Sequence, residues 1–245
     1  MTGMSETLAQ LGAAQKSSRG APAYSRFINR PLGRPLAAVA ATLSMTPTHV
    51  TLLSAAATLA GIACIALLPA TATTSLLVTA LLVLGYALDS ADGQLARLQR
   101  SFSLSGEWLD HLFDALKAVT IHLAVLAAWL RFPDLDQRML IVPPIFAAVA
   151  STFFFGVVAV DLLRRIHRAE RPADPAPAPA PPTSVLYALL VAPADYGVLC
   201  LLFLTLFLPS VFVPLYTALA VINGLLLLAS AMRWHRSLRA LESSR

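Results

Sequence analysis

From Tyr196 to Met232 the chain runs for 37 residues without a single charged side chain. At 1.5 Å per residue an unbroken helix of that length reaches about 55 Å, against a bilayer hydrocarbon core of about 30 Å. The run must therefore be two helices, and Pro209, Ser210 and Pro214 mark the expected turn. Three earlier stretches have the same character. Thr48–Leu68 contains no acid, lysine or arginine, and Thr46-Pro47-Thr48 opens it as a helix start. After a short loop at Pro69–Thr73, Thr74–Leu88 begins a span that continues to about Gln99. Further spans are expected at Leu104–Leu130 and at Met139–Val160, the latter continuing to Arg165. The fold class is an all-α membrane protein with six transmembrane helices.

Composition agrees. The chain is 57% hydrophobic and 13% charged, about half the charge of an ordinary soluble domain. Most of it meets lipid instead of building a water-shielded core. The two cysteines, Cys64 and Cys200, sit inside apolar runs and suit packing better than redox or zinc chemistry.

The basic residues assign an orientation. With the N-terminus in the cytoplasm, fifteen of them fall inside: Lys16, Arg19, Arg26, Arg30, Arg34, Arg97, Arg100, Arg164, Arg165, Arg168, Arg171, Arg233, Arg236, Arg239 and Arg245. Only Arg131 and Arg138 fall outside. This asymmetry predicts both termini in the cytoplasm, in a cytoplasmic membrane of bacterial type. No apolar segment follows within the first 20 residues, so no cleavable signal peptide is expected. Residues 36–44 are apolar but too short to span, and read as an amphipathic helix lying in the interface. Residues 1–45 thus form an N-terminal arm and 46–245 the membrane domain. Within that domain, 171–183 is a proline-rich cytoplasmic loop that cannot stay helical. No basic stripe with interleaved aromatics points to nucleic acid.

Charges inside spans carry the chemistry. Asp89 and Asp92 are three residues apart, and Asp110 and Asp114 four, so each pair shares a helix face. Four carboxylates at membrane depth cost on the order of 10 kcal/mol if unpaired, and only Arg97 and Lys117 lie nearby in sequence. The region Phe102–Ser105 can turn the chain and let the two faces meet. Hard oxygen donors gathered there suit Mg²⁺, Mn²⁺ or Ca²⁺, one ion or two, and divalent metal suggests phosphate chemistry. Gly93, Ala96 and Gly106 are small enough for a ligand to come close, and Arg97 can grip a phosphate through two hydrogen bonds.

The stretch Asp89-Ser-Ala-Asp92-Gly93-Gln-Leu-Ala96-Arg97, eight residues, Gly106-Glu-Trp-Leu-Asp110-His-Leu-Phe-Asp114 resembles the signature of the CDP-alcohol phosphotransferase (phosphatidyltransferase) family. All eight fixed positions match with the family's spacing. Thr46-Pro47-Thr48-His49-Val50-Thr51 adds a weaker likeness. The resemblance implies transfer of a phospho-alcohol unit from a CDP-alcohol, CDP-diacylglycerol above all, to an acceptor hydroxyl in phospholipid biosynthesis, releasing CMP. It implies that Asp89, Asp92, Asp110 and Asp114 hold Mg²⁺ or Mn²⁺ and that Asp114 is the general base. By the residues alone, which of the four is the base stays open. The resemblance also implies a donor and nucleotide site of Asp89, Gly93, Ala96, Arg97 and Gly106.

The acceptor is less defined. Members with a phosphorylated acceptor carry extra basic residues, but Met139–Leu163 has no Lys or Arg, and Asp195-Tyr196 stands where an acid–arginine pair is common. This points away from inositol phosphate. Arg164, Arg165 and Lys117 are the candidate acceptor contacts. Lys117 is also placed to pair with Asp114, His111 to point off the aspartate face, and Asp195 to cap the fifth span. Two other readings stand beside the main one: the same chemistry on a soluble CDP-alcohol, and, remotely, a cation transporter or silent membrane protein. A homodimer stays open.

Overall fold

The structure, a computed structural model, describes residues 4–13, 22–132, 134–171 and 185–243. The expected proline-rich loop lies outside them except for Arg171. Among the described residues all regular structure is helical. Helices α1 (Met4–Ala13) and α2 (Arg30–Thr42, entered through a π-helical turn at Ser25–Asn29) precede α3 (Pro47–Leu67), α4 (Ala72–Gln99) and α5 (Leu104–Trp129). Then follow α6 (Val142–Glu170, entered through a 3-10 turn at Gln137–Ile141), α7 (Val185–Leu190), α8 (Tyr196–Leu202) and α9 (Pro209–Ser243). Among the described residues, five helical segments are long and apolar enough to cross a membrane: those of α3, α4, α5, α6 with its entry turn, and α9.

The uncharged run divides as the length argument requires, but unequally. The part before the turn is a short apolar helix, Tyr196–Thr205, of about 15 Å at the helical rise. The break falls at Leu206–Leu208, and the three expected turn residues all lie in α9. Pro209 starts that helix, where its missing N–H has no partner to lose. Pro214 stands inside it and costs the bond that Ser210 O would have accepted. The break thus falls directly before Pro209, because proline opens a helix as readily as it ends one.

The helix expected at 36–44 begins earlier, at Arg30, and its small face (Gly33, Ala37, Ala38, Ala40) is buried. That face packs on α4. A Cβ on Gly33 would come within 2.8 Å of Gln94 Nε2 and 2.9 Å of Ser90 Oγ. Gln94 in turn donates to Arg30 O at 3.1 Å. The arm is thus strapped along the helix that carries Asp89 and Asp92.

The α3–α4 contact is close for a similar reason. A side chain at Gly85 would collide with Thr58, and Ser54 Oγ donates to Gly85 O at 2.8 Å. Gly85 lies one turn before Asp89, so this approach sets the depth of the carboxylates against α3. Farther along, Trp129, Phe203, Phe212 and Tyr216 fill the main apolar core. His122 joins it, stacked on Phe146 at 4.1 Å and hydrogen-bonded through Nδ1 to Tyr216 OH at 2.6 Å. The guanidinium of Arg131 donates to the carbonyls of Ile65, Ala66 and Leu68, closing the end of α3.

Candidate active site

The turn between α4 and α5 is short because both helix ends are closed locally. Arg100 adopts a left-handed conformation (φ 51°), and Ser101 N bonds back to Ala96 O at 3.0 Å. Ser103 then caps α5 by accepting from Gly106 N at 3.0 Å. A Cβ on Gly106 would sit 2.8 Å from Ser103 Oγ, so the glycine in the motif admits the cap. With both ends closed, α4 and α5 bring the two carboxylate pairs together. Asp89 lies within charge range of Asp92, Asp110 and Asp114.

Each carboxylate has its own surroundings. Asp92 is 8% exposed and accepts from Thr51 Oγ1 at 2.6 Å. Lys117 Nζ lies 2.5 Å from Asp114 Oδ1 and 3.5 Å from Asp89 Oδ1. The expected Lys117–Asp114 pair is therefore present, with Asp89 as a second partner. Asp110 groups with His111 and Asp114, whose ligand atoms lie within 4.8 Å of one another. His111 thus does not point away from the aspartates. At one residue beyond Asp110 and three before Asp114, its ring folds beside both, as neighbours three and four apart on a helix do. Its Nδ1 is buried without a hydrogen-bond partner among the described residues.

Two cavities meet the cluster from different sides. A vestibule of about 530 Å³ is lined by Thr51, Asp92, Gly93, Ala96, Arg97, Gly106, Glu107, Asp110, His111 and Arg165. An inner cavity of about 470 Å³ is lined by Tyr86, Asp89, Asp114, Lys117, Asp195, Tyr196 and a wall of Phe146, Phe153 and Phe154. A much smaller cavity against α3 shares Asp89 and Lys117 with the inner cavity and Thr51 and Asp110 with the vestibule. Of the donor-site residues named from the motif, Gly93, Ala96, Arg97 and Gly106 share the vestibule, and Asp89 faces the inner cavity. A Cβ on Gly93 would lie 3.5 Å from Arg97 Nη1, an ordinary van der Waals contact, so the guanidinium's position does not itself demand glycine there.

This eight-position constellation is assembled in one place, and residues 44–234 match the family model described as CDP-alcohol phosphatidyltransferase. The chain belongs to the CDP-alcohol phosphatidyltransferase family. It is an integral membrane transferase of substituted phosphate groups that takes a CDP-alcohol, in phospholipid synthesis. No curated protein matches the chain. The matched residues run from before α3 into α9 and exclude α1 and α2.

Family members use divalent metal, and the site suits one. Carboxylate oxygens are the hard donors that Mg²⁺ and Mn²⁺ take, and the orphaned Nδ1 of His111 is a polar atom in need of a partner. The candidate acceptor residues separate. Lys117 faces the inner cavity. Arg165 faces the vestibule, paired with Glu107 at 2.7 Å and Asp161 at 2.7 Å. Arg164 lines neither and donates to Ser237 Oγ at 2.8 Å.

Some lining residues carry no motif signal. Asp195 caps α8 as expected, accepting from Gly197 N at 3.0 Å. It also accepts from Ser25 N at 2.7 Å and Tyr86 OH at 3.1 Å, tying the arm to α4 and α8. Tyr86 lies three residues before Asp89, which is the one local hint that it would face the same space.

Proposed function

We propose that this protein moves the phospho-alcohol unit of CDP-diacylglycerol to the hydroxyl of a polar acceptor, with Mg²⁺ or Mn²⁺ on Asp89, Asp92, Asp110 and Asp114. The observation that carries the reading is the division of the carboxylates between two ligand spaces that meet at them. The nucleotide lies in the vestibule against Gly93 and Ala96, whose small side chains leave room for a flat ring. Arg97 holds the donor phosphates. Bound metal supplies charge neutralisation on the phosphoryl group. Asp114, facing the inner cavity, takes the proton of the acceptor hydroxyl. The acceptor oxygen bonds to the phosphorus that carries the alcohol, the bond from that phosphorus to the CMP oxygen breaks, and CMP leaves. The acceptor carries no phosphate of its own, since Lys117 is engaged by two carboxylates, Arg165 by two more, and Arg164 lies elsewhere.

In the bilayer, the charge asymmetry supports both termini on the cytoplasmic side. Tyr196–Thr205 and its approach then make the sixth crossing, α2 rests at the interface, and 1–45 is an arm to the membrane domain. The vestibule, lined by the ends of α4 and α5, opens to the cytoplasm.

The test is CMP release, read by mass spectrometry, from purified protein with Mg²⁺ or Mn²⁺ and a pool of polar acceptors. CMP that requires CDP-diacylglycerol and disappears in Asp114→Asn supports the proposal. CMP from a soluble CDP-alcohol alone replaces the donor, and absence of both CMP release and CDP binding overturns the assignment.

A further inference from the structure

The inner cavity runs along one face of α5. Asp114, Ala118, Ile121 and His122 all line it, and from Asp114 to His122 the helix rises about 12 Å. Its charged lining residues gather at one end. Lys117 ties Asp114 to Asp89 there, and Asp195 is linked to the same stretch of α4 through Tyr86 OH. Toward His122 the wall is apolar, formed by Ile121, Phe146 and Leu219.

His122 breaks that pattern. Its ring is 1% exposed and stacks on Phe146 at 4.1 Å. Its Nδ1 lies 2.6 Å from Tyr216 OH, the one hydrogen bond of either group among the described residues. Tyr216 is fully buried, so its hydroxyl donates to the acceptor within reach, which is Nδ1. The ring's own proton then sits on Nε2, and no group among the described residues receives it. A buried N–H without an acceptor is costly. This one stands in the wall of a cavity, where a ligand oxygen can accept it.

The reaction says which ligand. In phosphoryl displacement the attacking and leaving oxygens stand roughly in line across the phosphorus. With the nucleotide in the vestibule, the space behind Asp114 receives the attacking alcohol. A short polyol held at Asp114 leaves the apolar wall bare and Nε2 unsatisfied. A longer hydrophilic one buries hydroxyls against Phe146 and Leu219 without partners. We infer that the acceptor is an amphiphilic alcohol: its hydroxyl lies at Asp114, its uncharged apolar body runs along α5, and an oxygen at its far end accepts from His122 Nε2. This rests on the transferase reading above and narrows its acceptor, whose polar alcohol group is carried on an apolar body.

The probes are octanediol, octanol and glycerol, added to the full-length purified chain in detergent. Octanediol is about as long as the run from Asp114 to His122, octanol matches it without the far oxygen, and glycerol lacks the body. The first readout is NMR of isotope-labelled histidine, with the His122 Nε2 proton assigned by its loss in His122→Phe. Octanediol is expected to shift that proton, and octanol and glycerol to leave it in place. The second readout is CMP release from CDP-diacylglycerol. Wild type is expected to use octanediol about tenfold better than octanol, and glycerol worse than either. His122→Phe is expected to use the diol and octanol alike. A proton unmoved by octanediol, or glycerol used as well as octanediol, overturns the inference without any variant having to fold. A folded His122→Phe that still prefers the diol overturns it too. If no alcohol yields CMP, CDP binding separates the failures: with CDP bound this inference alone falls, and without it the transferase reading falls as well.

Discussion

Thr51 offers the sharpest probe of the site, because it touches a carboxylate without being one. Its hydroxyl lies 2.6 Å from Asp92 Oδ2 and 3.1 Å from Pro47 O, and its single proton belongs to the shorter contact. Thr51→Val keeps the shape and deletes that donor. A hydrogen bond to a charged group contributes about 1.5–3 kcal/mol, and Asp92 is too buried for water to replace it freely. At about 1.4 kcal/mol per decade, this is roughly a 10- to 100-fold effect. Residues that orient metal ligands show losses of the same order. The expected outcome is a rise of that size in the Mn²⁺ concentration giving half-maximal CMP release. The maximal rate at saturating metal should fall much less, and Thr51→Ser should restore the wild-type requirement. An unchanged metal requirement in a folded Thr51→Val would refute the claim that this hydroxyl holds Asp92 in place.

Other expectations follow from particular contacts. Gly85→Ala places a methyl against Thr58 and should destabilise the protein by about 1–3 kcal/mol, seen as a lower unfolding temperature in detergent. Unchanged melting would show that α3 and α4 can part freely. Arg97→Lys keeps the charge but loses the two-pronged grip on phosphate, so KM for the donor should rise about tenfold or more while the fold persists. Asp195→Ala leaves Ser25 N and Tyr86 OH without their acceptor; it should cost about 1–3 kcal/mol and speed proteolysis of the N-terminal arm. Chelation by EDTA should abolish CMP release, and either Mg²⁺ or Mn²⁺ should restore it.

What the sequence made legible was what depends on short separations. Helix faces at three and four residues predict the carboxylate pairs, and uncharged length predicts the long apolar helices. The Lys117–Asp114 pair and the Asp195 cap are local in the same sense. The misplaced turn near Pro209 shows the limit of composition: proline permits a helix start as readily as it ends one. His111 failed differently. A face assigned by angle ignores how far a ring can fold toward its neighbours. The meeting of Tyr86, Asp195 and Ser25 is not legible in this way, since it depends on how residues 109 and 170 positions apart pack across the chain.

The bond from Ser25 to Asp195 joins residues 170 positions apart. At a synthesis rate of about 5–20 residues per second, Ser25 waits roughly 10–30 s for its acceptor to be made. Through that interval the arm can settle on α4 through Gly33 and Gln94, but the inner cavity lacks a wall. The chamber behind Asp89 and Asp114 is therefore closed late in biogenesis, once the last two apolar helices have joined. A nascent chain halted before residue 195 carries every motif aspartate and has no finished inner chamber.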